Sequence, residues 1–303
     1  MGRTCGPSGA HLASAPGAQA RAASARPVSG RRGRTLVGCV ANVTIALFAS
    51  QASATPGPTA GAAGLADALP CLRAAYAELV CGAEEGALIL CDRQRLRWDD
   101  GRAKPTLDER LKGADLEDQM AQPYPPAGSP LTAPDVDTDP GRVRDPRFFG
   151  AAWGATRAAV RKQLVRVRWL PSMGKKRLLF HRAHGAAAAL ARVSADLDRL
   201  PLPLRRIAWR TAGTFVWRPI AGTTRLSPHS YGIAVDLAVD IADYWRWQRP
   251  GPGGQLVWRN RIPVEIVAAF ERHGFIWGGR WYHHDTMHFE YRPELVVAAC
   301  RSR

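Results

Sequence analysis

Four residues in the last third of the chain, His229, Asp236, Asp285 and His288, have the types and spacing for metal-assisted hydrolysis. Over Gly232-to-Val239 the chain alternates as a strand does. Ile233, Val235, Leu237 and Val239 point one way, and Asp236 points the other way between Ala234 and Ala238. Over 287–291, Met287, Phe289 and Tyr291 form an apolar face, and His288 and Glu290 oppose it. If these strands are neighbours, Asp236 and His288 share one polar face. His229 lies seven residues before Asp236, across Tyr231-Gly232, where glycine permits the turn that swings the imidazole back over the sheet. Two imidazoles and a carboxylate on an open face make a catalytic zinc site, with the fourth position left for water. Zinc so held lowers the pKa of water and polarises a carbonyl. Hydrolysis then needs a second carboxylate, close to the metal but not bound to it, to move a proton from water to the leaving amine. Asp285, three residues before His288, would face the wrong way in a straight strand, so it is placed in the turn entering that strand. A single His–Asp pair would be incidental; the combination in one sheet carries the reading.

The run Ser227-Pro228-His229-Ser230-Tyr231-Gly232-Ile233-Ala234-Val235-Asp236, followed by Asp285-Thr286-Met287-His288-Phe289-Glu290, resembles the zinc D-alanyl-D-alanine carboxypeptidase and L-alanyl-D-glutamate endopeptidase family of bacterial cell-wall peptidases. That family's pattern is Ser-x-His-x-x-Gly-x-Ala-x-Asp and then carboxylate-x-x-His, and every fixed position is met. The resemblance implies zinc on His229, Asp236 and His288, Asp285 as general base and acid, and the compact fold of Hedgehog-type and DD-peptidase domains. Aspartate rather than glutamate at 285 looks more like the endopeptidase branch; a D,D-carboxypeptidase or dipeptidase on the same site is the alternative. The family also places an arginine on the strand before the histidine motif, to hold an oxyanion or a substrate carboxylate. Arg218 is preferred for it, with Arg225 as the competitor.

Other residues are read more plainly. Glu290 could accept a hydrogen bond from a ligand imidazole. His283 and His284 point apart and shape the pocket rather than ligate. Trp277, Trp281 and Tyr282 around Gly278-Gly279 either line a groove or form aromatic core. Asp240, Asp243, Trp245 and Trp247 read as rim and surface packing.

The positioning elements follow from periodicity. Arg206-to-Ile220, Gly232-to-Val239 and the segment around Phe289 have strand character. Pro263-to-His273 reads as a helix with Ile266, Val267 and Phe270 on one face and Gly274 ending it. Helices are expected near Ala151–Leu170 and His184–Leu200, and a hairpin from Ala87-Leu88-Ile89-Leu90 to Trp98-Asp99-Asp100-Gly101. The order suggests an α+β fold on a small antiparallel sheet with flanking helices.

The chain has 303 residues, 46% of them hydrophobic, and a formal charge of +16. This is a globular composition, and the absence of any apolar run of 18 residues excludes a multi-pass membrane protein and leaves no transmembrane anchor in the expected mature chain. Residues 1–34 carry six arginines and no acid; a weakly apolar stretch from Thr35 to Ala49 and Gln51-Ala52-Ser53-Ala54 follow. That predicts a signal peptide over 1–54 and export to a periplasm, cell wall or extracellular space. Residues 55–68 read as a linker, 69–145 as an N-terminal extension, 146–298 as the zinc peptidase domain and 299–303 as a C-terminal tail. Within the extension, 122–145 reads as a long irregular connection. Past residue 54 the cysteines are Cys71, Cys81, Cys91 and Cys300, an even count that predicts two structural disulfides in an oxidising compartment, their pairing open. From Pro146 to Ala195 the chain has eleven Lys/Arg and no Asp or Glu. This reads as a solvated basic face, or as attraction to an anionic wall polymer; sparse aromatics and no nucleic-acid motif argue against a nucleic-acid partner.

The function expected is therefore an exported zinc metallopeptidase hydrolysing peptidoglycan or muropeptide stem peptides, the L-Ala-D-Glu endopeptidase favoured. A non-catalytic zinc-containing wall-binding module is the reading from another class.

Overall fold

The alternating segments pair as antiparallel strands, and the segments of helical spacing fold around them. The computed structural model describes residues 60–296 and residue 300; the side chains of 60–63 and 252 are not described. The expected signal peptide over 1–54 lies outside the described residues. The order is α1 (Ala60–Ala75), β1 (Val80–Glu84), β2 (Ala87–Leu90), β3 (Arg95–Arg97), α2 (Leu107–Gly113), α3 (Leu116–Met120), α4 (Pro146–Trp153), α5 (Arg157–Lys162), β4 (Leu164–Arg168), β5 (Arg177–His181), α6 (Ala186–Asp198), α7 (Leu202–Trp209), β6 (Thr211–Gly213), β7 (Ala234–Leu237), α8 (Val264–Glu271), β8 (Phe275–Trp277), β9 (His288–Tyr291) and α9 (Pro293–Val296). Three antiparallel sheets result, β1-β2-β3, β4-β5 and β6-β7-β9-β8. This is the α+β antiparallel class read from the sequence. No helix among the described residues is long and apolar enough to cross a membrane.

The four-stranded sheet fixes the chemistry. β7 and β9 pair with Val235 opposite Phe289, Asp236 opposite His288 and Ala234 opposite Glu290. Directly opposed residues of an antiparallel pair share a face. Asp236, His288 and Glu290 are therefore brought to one side, and Val235 and Phe289 to the other. On that second side Phe289 stacks on Phe270 of α8 at 4.1 Å between ring centroids. Ile266, Val267 and Phe270 are all buried, as the helical spacing predicts. A one-residue slip of β9 would exchange the two faces and bury the imidazole in the aromatic core.

Three expectations are corrected. The strand character of 206–220 holds only for Thr211–Gly213. Leu204, Ile207 and Ala208 fall on one face of α7, and Trp169 Nε1 donates to Ala208 O at 3.0 Å. The helix expected over Ala151–Leu170 breaks at Gly154, whose φ of 106° only glycine adopts readily. Its second half turns into β4, where Leu-Val-Arg-Val-Arg has the period of a strand. The linker reading of 55–68 gives way to α1 from Ala60, because Leu65, Ala68 and Leu72 lie on one helical stripe and are buried. The hairpin near 87–101 forms as β2 and β3, with Trp98–Gly101 just past it.

Residues of the N-terminal extension share one core with those of the four-stranded sheet: Leu72, Tyr76, Leu116 and Tyr124 belong to the same buried cluster as Phe148, Phe270 and Phe289. The irregular stretch 122–145 is tied down by long-range bonds. Tyr124 Oη accepts from Trp277 N at 2.9 Å, Trp281 Nε1 donates to Pro140 O at 2.7 Å, and Arg280 donates to Pro130 O at 2.7 Å.

The disulfides are Cys71–Cys300 and Cys81–Cys91. The first joins positions 229 residues apart and the second positions 10 apart. Chain-entropy arguments assign about 5 kcal/mol to the long closure and about 3 to the short one. Cys71→Ser with Cys300→Ser is therefore expected to lower the melting temperature more than Cys81→Ser with Cys91→Ser, as read by circular dichroism.

Candidate active site

His229 sits on a single helical turn, Pro228–Tyr231, before β7. The next residue, Gly232, has φ 66°, and a Cβ there would lie 2.4 Å from Leu164 Cδ2, so glycine is required for both conformation and space. Ser230 Oγ accepts from Arg218 N and donates to Arg218 O, each at 2.9 Å, sewing the preceding segment to this turn. The imidazole of His229 is thereby held over Asp236.

The three side chains meet at one oxygen. Asp236 Oδ1 lies 3.2 Å from His229 Nε2 and 3.0 Å from His288 Nδ1. The outer nitrogens have acceptors of their own: His229 Nδ1 faces Thr214 O at 3.3 Å and His288 Nε2 faces Glu290 Oε2 at 3.0 Å. With both outer nitrogens donating, both inner ones present lone pairs toward a carboxylate, an arrangement that calls for a proton or a cation between them. One ligand atom from each of the three residues can be chosen so that all lie within 4.8 Å of one another. The donor set is that of a zinc site with oriented ligands. A second acidic group, Asp99, Asp100 and Asp115, differs, because Lys104 Nζ already sits 3.0 Å from Asp100 and 2.7 Å from Asp115.

Without a metal, the cluster is a coupled acid–base group. Burial would raise the Asp236 carboxyl, but the adjacent His229 and His288 override it and hold it well below the usual range. Burial would lower His288, but its hydrogen bonds to Asp236 and Glu290 push it up to about 10. Glu290 is pulled down to about 2 against burial by His288, Arg144 and Arg292.

Asp285 occupies the turn entering β9, as the sequence predicts: its N donates to Gly278 O at 3.0 Å and its carbonyl accepts from His288 N at 3.1 Å. Gly278 makes this approach feasible, because a Cβ on it would lie 2.5 Å from Asp285 O. Asp285 Oδ1 is buried without a hydrogen-bond partner. Burial, with the charge of Asp236 adding to it, raises this carboxyl to about 6. A carboxylate poised near neutrality beside a cluster that could hold a metal ion is suited to proton transfer.

A cavity of about 290 Å³ opens over these groups, lined by His229, Asp236, Asp285 and His288 together with Arg142, Arg144, Arg218 and Arg225. Arg218 is exposed and its guanidinium reaches only Pro219 O at 3.5 Å. Arg225 is half-buried and donates to Arg142 O at 3.2 Å; burial first, then Arg144 and Arg142, lower it to about 9. Both arginine candidates thus reach the cavity. Arg142 and Arg144 come from the 122–145 stretch, where no motif announced them; Asp139 anchors Arg142 at 2.5 Å and also accepts from His283. His283 lines the cavity and His284 does not, so the neighbours do point apart. Trp281, Trp245 and Trp247 line the cavity as well, whereas Trp277 is core.

Compared with known proteins, residues 221–291 match the family model described as D-alanyl-D-alanine carboxypeptidase. The matched segment is that of a cell-wall peptidase family. It spans His229, Asp236, Asp285 and His288 together with Arg225, and begins three residues after Arg218. In this carboxypeptidase-family segment the family match and the geometric cluster coincide. No curated protein and no solved structure matches the chain.

Because an imidazole must be neutral to ligate and His288 holds its proton up to about 10, adding Zn2+ at pH 7 is expected to displace about one proton per site. Calorimetry in two buffers of different ionisation enthalpy counts it; identical heats in both would show that His288 was already neutral.

Proposed function

We propose that the protein is an exported zinc peptidase that hydrolyses stem peptides of peptidoglycan, acting on the L-alanyl-D-glutamate bond. The observation that carries the reading is the unpartnered carboxylate of Asp285 beside the convergent His229, Asp236 and His288. A purely structural metal site has no use for that carboxylate, which weighs against a non-catalytic wall-binding module. Zinc held by His229, Asp236 and His288 would polarise the scissile carbonyl as a Lewis acid. Asp285 takes the proton of the attacking water and returns it to the leaving amine. Thr214 O and Glu290 hold the two imidazoles in the tautomers that leave their inner nitrogens free. The arginines lining the cavity receive a substrate carboxylate or the developing oxyanion, with Arg218 or Arg225 in that role.

Aspartate at 285 favours the endopeptidase, and the family match favours the alternative, a D-alanyl-D-alanine carboxypeptidase on the same residues. Export to a periplasm or wall is supported by the basic and then apolar character of 1–54 and by the two disulfides. The antiparallel catalytic sheet supports a Hedgehog-type fold for 146–298.

Mass spectrometry of muropeptides incubated with the zinc-loaded protein separates the readings. New N-terminal D-Glu, with L-Ala left on the glycan, is expected; released D-Ala would instead assign the carboxypeptidase. No product with zinc bound would overturn the peptidase reading. Asp285→Asn is expected to lower kcat by about 10²–10⁴-fold while zinc content is unchanged.

Burial raises the carboxyl of Asp285 to about 6 without metal, and a bound dication would oppose that rise. A base must be deprotonated to act, so kcat/KM is expected to rise with pH along an acid limb at or below 6. A pH–rate profile lacking that limb in the wild type would remove Asp285 from the role of base.

A further inference from the structure

Glu290, which orients His288, is itself held from behind. Glu290 Oε1 accepts from Arg292 Nη1 at 2.9 Å, and Arg292 Nε donates to Glu294 Oε1 at 2.6 Å. The other carboxylate oxygen of Glu294 accepts from Tyr76 Oη at 2.7 Å, and Gln119 Nε2 approaches Oε1 at 3.3 Å. Arg292 also donates to Gly141 O at 2.5 Å. Glu290, Arg292, Glu294 and Tyr76 are each 0% exposed. Buried side by side, these groups hold one another in place, with Gly141 O on Arg292 and Arg144, 3.7 Å from Glu290 Oε2, as additional partners, and charge-assisted bonds of this kind are strong and geometrically exacting. Tyr76 directly follows α1 and lies five residues beyond Cys71, whose disulfide ties that helix to Cys300.

We propose that Tyr76, Glu294 and Arg292 are positioning residues for His288, so that the N-terminal extension completes the metal centre. The proposal rests on the metal reading of the site and not on which bond is cut. Arg292 holds Glu290 with one oxygen turned to His288 Nε2; that bond keeps the proton on Nε2 and aims Nδ1 at Asp236. Glu294 holds Arg292, and the Tyr76 hydroxyl supplies the donor that Glu294 Oε2 would otherwise lack. The extension therefore acts on the centre along a chain of four bonds, from Tyr76 to Glu294, Arg292, Glu290 and His288, without touching substrate.

Optical titration of the full chain with Co2+ in place of zinc tests this without relying on activity. Glu290→Gln is expected to weaken Co2+ binding about 10–100-fold, the usual range for loss of such a partner, and Tyr76→Phe by a smaller factor in the same direction. Because both act along one path, the double variant is expected to bind as Glu290→Gln alone does. Leu65→Ala, which thins the packing of α1 without touching these bonds, is expected to lower the melting temperature and leave Co2+ affinity and spectrum unchanged. A Tyr76→Phe variant that melts earlier but binds Co2+ as the wild type does would overturn the proposal. So would effects of Tyr76→Phe and Glu290→Gln that simply multiply, or a Leu65→Ala variant that loses metal as much as Tyr76→Phe does. As a second readout, the His288 Nε2 proton resonance is expected to shift in Tyr76→Phe; an unmoved resonance counts against the proposal. If the Co2+ pattern is as expected but no muropeptide is cut, the positioning role stands and only the peptidase reading falls.

Discussion

One carboxylate oxygen, Asp236 Oδ1, organises the centre of this molecule. It stands between two imidazoles whose outer nitrogens are already committed, and Ala234, the residue before it on the same face of β7, is small. The register of β7 against β9, the glycine after the histidine turn and the aromatic packing on the far side of the sheet all serve to keep that convergence. Losing any one of them would separate three groups that come from positions as much as 59 residues apart.

Around this point the protein stacks charge behind charge in a dry interior. Ion pairs of this depth add little net stability on average, because desolvation offsets most of the attraction. Their value is geometric: a buried carboxylate with every oxygen engaged has one orientation. The same logic operates on the other side of the cavity, where Asp139 fixes Arg142 and His283 together. The cationic lining is thus anchored in part, whereas Asp285 Oδ1 is buried in the same site without a hydrogen bond.

The positions of the metal candidates and of Asp285 were legible because they lie on or beside short strands, where a period of two converts spacing directly into a shared face. Even the odd offset of Asp285 was informative, since it demanded a turn. Arg142, Arg144 and Tyr76 were not legible, for they reach the centre or its supports through contacts bridging 75 or more residues, and nothing local marks them. The 206–220 segment misled because Leu204, Ile207 and Ala208 satisfy a helix while Phe215 and Trp217 beyond them suit a strand. Helix α1 was hidden by composition: Ala and Gly read as linker until the buried Leu65–Ala68–Leu72 stripe gives them something to pack on. The even cysteine count predicted two disulfides, but spacing alone could not choose among three pairings.

The pairing of Cys71 with Cys300 also sets an order of assembly. At ordinary synthesis rates of roughly 5–20 residues per second, about 10–45 s separate the emergence of the two cysteines. For that interval the apolar stripe of α1 has no partner in α9, and Tyr76 has no carboxylate to bond. The first helix among the described residues is among the last to be locked, and the oxidation that locks it follows nearly the whole body of the described fold.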